Sequence, residues 1–282
     1  MRAFVLLFLA GLVQAQTTMD AALPRAVAIR RAPGSAGGSS TSSSVALSTA
    51  AFPRILSGNN WDTTVVLINT GAAPAAFQEY FFAANGAPAA YAIQSAAITG
   101  TLTASSVQGV LAPGASLSLA LSDPGGANPE GWSLLAYNPA QGAISAYAVV
   151  RHKGWGGGYS VETTEYLDGM QDYSACVPFD NTQGFATQLT LLNPAGNTSA
   201  QVRLTYLNPS GQVILLDAIS LGAGQLTTLT LPDVYPDLAN KTGSVLVQGD
   251  TNVLSVTGFR FNSAFGVAAA LPVLAKASAL PQ

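Results

Sequence analysis

A nine-residue pattern occurs twice in this chain and restricts what it can fold into. WDTTVVLIN, Trp61 to Asn69, and FATQLTLLN, Phe185 to Asn193, both begin with an aromatic and carry Thr two residues later. Both then alternate apolar with polar positions and stop on Asn before a Gly/Pro/Ala turn. A period of two is the mark of a strand, because successive side chains point to opposite faces of a sheet. In the first copy both faces are largely apolar, which places the strand centrally in its sheet.

The segments downstream of the two copies also correspond. FQEYFFA, from Phe77, ends at Asn85-Gly86, a hairpin dipeptide, and AQVRLTYLN ends at Pro209-Ser210-Gly211. LAPGASLSLALSD, Leu111 to Asp123, matches LGAGQLTTLTLPD, Leu221 to Asp233. WSLLAYN is set beside GSVLVQG, and AISAYAVVRH beside VLSVTGFRF, so Arg151 and Arg260 fall near equivalent strand ends. The first copy carries extra material between Tyr91 and Val110. Turn signals recur about every 8 to 12 residues and helical periodicity is almost absent, so the chain reads as all-β. The expected architecture is two tandem immunoglobulin-like antiparallel β-sandwiches after a signal peptide and a flexible leader. One larger jelly roll built from two halves is the alternative.

The domain boundaries come from composition. Residues 1–15, with Arg2 ahead of the apolar run Ala3 to Val13 and a small-residue site ending at Ala15, have the form of a secretory signal. The run is shorter than the roughly 20 residues a membrane span requires, and no later stretch is long and apolar enough to be one. Residues 16–50 include GSAGGSSTSSS and form the leader, since such a segment buries too little apolar area to offset its ordering entropy. Module 1 is expected over 51–167, a linker over 168–176, module 2 over 177–274 and a tail over 275–282. Localisation is expected to be secreted or at the cell surface.

The stretch FPRILSGNNWDTTVVLIN, with a Phe-Pro, then Gly, an aromatic, Thr, Val/Leu and Asn, resembles a repeat module. It is similar to the uncharacterised immunoglobulin- or fibronectin-like domains of exported proteins from soil bacteria such as acidobacteria. The second copy departs from it, with Val177-Pro178 for Phe52-Pro53 and Phe185 for Trp61. The resemblance implies a secreted, often surface-linked protein and carries no catalytic residues with it.

Charged residues are only 9% of the chain, against about 25% in typical soluble proteins, and the formal net charge is -3. There is no basic footprint for nucleic acid. The chemistry available to an enzyme is thin. His152 is the only histidine and Cys176 the only cysteine, which cannot close an internal disulfide. No G-x-S-x-G, H-E-x-x-H or Walker motif occurs, and GWGGGY, Trp155 to Tyr159, precedes a strand rather than the helix a phosphate cradle needs. Glu162, Glu165, Asp168 and Asp172 cluster in sequence, yet Glu162 and Glu165 are an odd number apart on a strand and match no calcium loop. No catalytic residue, metal ligand or cofactor is assigned.

Aromatics offer the binding chemistry, because exposed rings stack on sugars or anchor a protein partner. The candidates are Trp155, Tyr159 and Trp132, with Trp155 foremost because its glycine neighbours give it no strand to pack within. The expected function is a secreted, non-catalytic adhesive, scaffolding or carbohydrate-binding protein whose partner is an extracellular glycan or an envelope protein. An extracellular hydrolase on a β scaffold and a structural subunit of a cell-envelope assembly are the alternatives.

Overall fold

A computed structural model describes residues 48–275, apart from 59, 99, 124, 127–128, 140–142, 154–158, 167–173, 195–197, 251–253 and 263–266. The segments read from the sequence as a signal and most of a leader, and part of the expected linker and tail, therefore lie outside the described residues. The strands of the first half are β1 (Ser48–Leu56), β2 (Trp61–Asn69), β3 (Ala75–Ala83), β4 (Tyr91–Gln94), β5 (Leu102–Ala104), β6 (Ser106–Leu111), β7 (Ser116–Ser122), β8 (Glu130–Tyr137), β9 (Ile144–Lys153) and β10 (Tyr159–Tyr166). Those of the second are β11 (Ser174–Asp180), β12 (Ala186–Leu192), β13 (Ala200–Leu207), β14 (Val213–Leu221), β15 (Leu226–Thr230), β16 (Thr242–Gly249), β17 (Ser255–Asn262), β18 (Val267–Leu271) and β19 (Leu274–Ala275). A single α-helical turn, α1 (Leu231–Val234), and a 3-10 turn at Pro236–Leu238 come after β15.

The strands form four antiparallel sheets, ordered β1-β8-β3-β6, β10-β9-β2-β7-β4-β5, β14-β13-β16-β11-β19 and β15-β12-β17-β18. The same side-chain bonds set up both copies of the repeated stretch. Thr63 Oγ1 donates to Leu56 O (2.8 Å) and accepts from Leu56 N (3.0 Å), and Thr187 Oγ1 accepts from Asp180 N (3.1 Å). Asn69 Nδ2 donates to Leu111 O (2.9 Å) and Ala73 O (2.8 Å), while Asn193 Nδ2 donates to Leu221 O (3.3 Å), Gly222 O (3.0 Å) and Thr198 O (2.8 Å). Buried backbone carbonyls at a strand end need such a partner, which is why both copies stop on Asn.

The all-β reading holds, but the tandem immunoglobulin-like sandwiches do not. The four small sheets are arranged as the blades of a four-bladed β-propeller ring. Phe52, Phe81 and Leu135 of the first sheet pack on Val65, Leu67 and Leu119 of the second. Val177, Leu204 and Val245 of the third pack on Leu189, Leu191 and Val256 of the fourth. A self-contained sandwich would leave the outer face of each sheet in water. Instead the other face of the first sheet is also buried, with Ala51, Phe82, Trp132 and Leu134 packed on Leu192 and Leu226 of the fourth. The blades differ from simple meanders, since each draws strands from distant parts of the chain.

Trp132 is the centre of that contact. Its ring stacks on Phe82 at 4.2 Å between centroids, and its Nε1–H donates to Gly224 O at 3.0 Å. Beside it the Asn85-Gly86 hairpin lies against the Ala223-Gly224 turn, and Leu226 N–H donates to Ala84 O at 2.7 Å. Gly86 has φ +84°, and a Cβ there would come within 2.9 Å of Gly224 O, so glycine is required on both counts. A polar bridge crosses the same junction. Arg54 Nη1 donates to Gln188 Oε1 (2.9 Å), its Nε lies 3.2 Å from Glu130 Oε1, and Thr228 Oγ1 donates to that oxygen (2.8 Å).

The strand register also shifts one element of the sequence alignment by a residue. Gly131 sits opposite Ile55 on β1, and Gly243 takes the corresponding place opposite Phe179 on β11. A Cβ on either would collide with a neighbouring carbonyl, that of Phe82 or of Leu207. Trp132 therefore matches Ser244, and the tryptophan is peculiar to the first copy. Replacing it with alanine removes the stack, the hydrogen bond and the packing at once. Trp132→Ala is expected to lower unfolding stability by about 3–5 kcal/mol, measured by urea denaturation monitored by circular dichroism. A loss below about 0.5 kcal/mol, the range of an inconsequential surface change, would show that the junction does not hold the ring together.

Candidate binding site

The site is built where β2 begins. Gly58 and Asn60 both take positive φ, 75° and 68°, and Gly58 O accepts from Trp61 N at 2.8 Å, turning the chain sharply into the strand. Lys153 N donates to Asn60 O at 2.7 Å and ties the end of β9 to that turn. Antiparallel register then sets Trp61 opposite His152, and their rings meet edge to face with centroids 4.8 Å apart. Both side chains are half-buried, so each keeps part of its ring in solvent. Polar groups occupy the other face of the same strand end, since Asp62 and Arg151 are one residue along from Trp61 and His152. Lys153 Nζ lies 3.5 Å from Asp62 Oδ2, and Arg151, opposite Asp62, has its Nη1 3.5 Å from Thr64 Oγ1. The next strand, β10, places Tyr159 opposite Lys153 and Glu162 opposite Arg151. This end of the sheet therefore carries an aromatic pair on one face and a carboxylate with two cations on the other, the first able to offer a ring to an apolar surface and the second charged hydrogen-bond partners to hydroxyls.

At the corresponding end of the second half an arginine covers one face of the aromatic. Phe185 stands in place of Trp61, and the Arg260 guanidinium lies 3.5 Å over the Phe185 ring while its Nη2 reaches Asp180 Oδ2 at 2.7 Å. Burial pushes the Asp180 carboxyl up, but the Thr182 hydroxyl and backbone N–H, together with Arg260, outweigh it and hold the group below its ordinary range. Arg260 faces Thr187 whereas Arg151 faces Asp62, so the two arginines project from opposite faces of their strands. The arginines lie near equivalent strand ends, as the sequence suggested, but one residue apart and hence on opposite faces.

The residues singled out by sequence are distributed differently. Trp155 lies outside the described residues, in the 154–158 connection that joins β9 to β10 and thus comes directly after Lys153. Tyr159 begins β10. Trp132 is fully buried at the junction, so it is a packing residue and not a surface platform. Trp61 and His152 were legible only as a core aromatic and as a lone histidine at a strand end. What the sequence did not express is that strand pairing sets them face to face. Glu162 and Glu165 lie on β10, and Asp168 and Asp172 fall outside the described residues. Among the described residues no three His, Cys, Asp or Glu side chains gather as a metal site, and no helix is long and apolar enough to cross a membrane. Cys176, half-buried on β11, lies in a different sheet from His152.

A shallow depression of about 350 Å³ lies at the junction of the halves, lined by Ala84, Asn85, Gly222, Ala223, Gln225 and Leu226. Its polar lining is partly spent, since Gln225 Oε1 accepts from Gly222 N at 2.7 Å.

The most perturbed acid is elsewhere. Glu79 on β3 points into the core between the first two sheets, beside Phe77 and Phe81, with no exposure to solvent. Burial pushes its carboxyl up to about 8; the Ser133 hydroxyl on β8 offsets a part of this, although the two groups do not reach hydrogen-bond geometry. The acid is therefore neutral at pH 7 and sealed from any substrate. Comparison of the chain with family models, with curated proteins and with solved structures gives no match.

Glu79 also ties the stability of the fold to pH. The folded state retains the proton between pH 4.5 and about 8 while the unfolded chain releases it, so stability falls as pH rises through that window. The slope is on the order of 1 kcal/mol per pH unit for a single group. Glu79→Gln is expected to flatten the fall of thermal midpoint across this range, measured by calorimetry. An unchanged slope would show that Glu79 ionises in the folded protein.

Proposed function

We propose that this chain is an exported, non-catalytic protein of the adhesive or scaffolding kind that binds extracellular glycan at the β2–β9–β10 end of its second sheet. The observation that carries the reading is the half-exposed Trp61–His152 pair at the strand end, with Asp62, Lys153 and Arg151 on the opposite face of that end. Rings supply the stacking face and the charged side chains supply directional bonds to hydroxyls, the combination a sugar surface calls for. In the sequence Trp155, the aromatic singled out by its glycine neighbours, follows Lys153 by two positions. Export rests on the form of residues 1–15 and on the resemblance to exported bacterial modules. The non-catalytic reading draws on the scarcity of histidine, cysteine and clustered acids, and on the sealed position of Glu79.

The test is a screen of the purified protein against glycan and cell-wall preparations. Saturable binding is expected, with Trp155→Ala and Trp61→Ala each weakening it about tenfold, the equivalent of about 1.4 kcal/mol. Binding to an envelope protein with no glycan arm would move the reading to a protein partner. Turnover of a generic ester or glycoside panel would overturn it in favour of a hydrolase.

A further inference from the structure

Most sheet edges in this molecule are protected by one of the usual devices against strand addition. β5 and β19 have three and two residues. β1 contains Pro53 and an irregular register between Phe52 and Ile55. β10 carries Glu162 and Glu165, and β18 packs against β10. β6 and β15, the remaining short edges, have six and five residues, and β14 stands out from all of these. It is a nine-residue edge strand, VILLDAISL, paired with β13 on one side and with no strand on the other among the described residues. Val213 and Leu216 are 57% and 63% exposed, the two most exposed large hydrophobic side chains described.

The comparison with the first half shows how this edge arises. β6 is the counterpart of β14, and it begins only at Ser106, opposite Tyr80, because the preceding residues cross to the second sheet as β4 and β5. The second half lacks that insertion. Its chain turns at Asn208–Gly211 and runs straight into β14, so Val213 already pairs with Leu207. Leu216 takes the place of Ser106, and Val213 to Leu215 are thus an extension of the sheet beyond the start of β6 in the first half.

We propose that the β14 edge is a self-association surface, on which β14 of a second copy of this chain pairs antiparallel across a two-fold axis at Leu216. The charge pattern suits a second copy as the occupant. The strand carries one ionisable side chain, Asp217, whose Oδ2 already accepts from Tyr235 Oη at 2.5 Å and whose Oδ1 accepts from Ala218 N at 2.7 Å. A strand that is uncharged along Val213–Leu216 brings no charge against these apolar side chains, and a second β14 is such a strand. With Leu216 at the axis, each Asp217 falls opposite Leu215 of the other copy, so the two carboxylates never stand directly across from each other. Identical strands paired about a two-fold give a closed, isologous contact rather than a filament. The inference is independent of the glycan reading, since β14 and the Trp61–His152 end belong to different sheets.

The experiment is sedimentation equilibrium on the purified protein and two variants. The wild type is expected to show a concentration-dependent dimer, and Leu216→Lys to raise the dissociation constant at least tenfold with an unchanged circular dichroism spectrum. Leu216→Cys in a Cys176→Ser background is expected to yield a covalent dimer on mild oxidation. If Leu216→Lys perturbs folding, Val213→Lys serves in its place. A wild type that stays monomeric, a dimer indifferent to either lysine, or failure of the Leu216→Cys protein to crosslink would each overturn the proposal.

Discussion

The architecture depends on the burial of the first sheet on both of its faces. One face packs on the second sheet through Phe52, Phe81 and Leu135, and the other on the fourth through Phe82, Trp132 and Leu134. A strand buried on both sides has no need to alternate, and β8 reads Trp-Ser-Leu-Leu across its centre, all of it buried. The stacked pair Phe82–Trp132 supplies apolar area at the junction, and the indole N–H removes the desolvation cost of Gly224 O, which would otherwise be buried there without this partner. Around it the Arg54–Glu130–Thr228 bridge adds direction more than energy. Such partly buried ion pairs often come close to cancelling their own desolvation, but they admit few alternative alignments of the two surfaces.

Strand identity was largely written in the sequence, and the relation between sheets was not. Period-two alternation in Ser116–Ser122 and the Asn-terminated Trp61–Asn69 stretch gave strands at the right places, because each pattern is local. The four-sheet ring depends on a contact between residues more than ninety apart, such as Trp132 and Gly224, and no local pattern encodes a partner at that distance. One trace was present. The non-alternating run at Trp132–Leu135 marks a strand covered on both faces, which a free-standing sandwich does not need. The one-residue error in setting WSLLAYN beside GSVLVQG hid its meaning, since it paired Trp132 with a glycine and not with Ser244.

The candidate site was less legible for a related reason. Trp61 and His152 are separated widely along the chain and have no shared motif, and only the register of β2 on β9 sets them together. Trp155 drew attention by its glycine neighbours, and the pairing of Tyr159 with Lys153 shows that its connection starts from the same end of the sheet. The Trp61–His152 contact lay beyond reach of the sequence, because strand register and not any local pattern sets it.

The two halves share their backbone devices and differ in what they leave open. Thr63 and Thr187, and Asn69 and Asn193, make the same kinds of bond to the same kinds of carbonyl, so these positions answer to folding. At the strand end beyond them the first half keeps an aromatic pair partly in solvent, while the second covers its aromatic with Arg260 and ties that arginine to Asp180. At the outer edge the roles reverse: the first half diverts its chain into β4 and β5, and the second leaves β14 long, apolar and unpaired among the described residues. One scaffold thus presents a polar-aromatic end on one half and an apolar edge on the other. A chain that bound a repetitive surface through the first and a second copy of itself through the other would gain by avidity what each weak contact lacks alone.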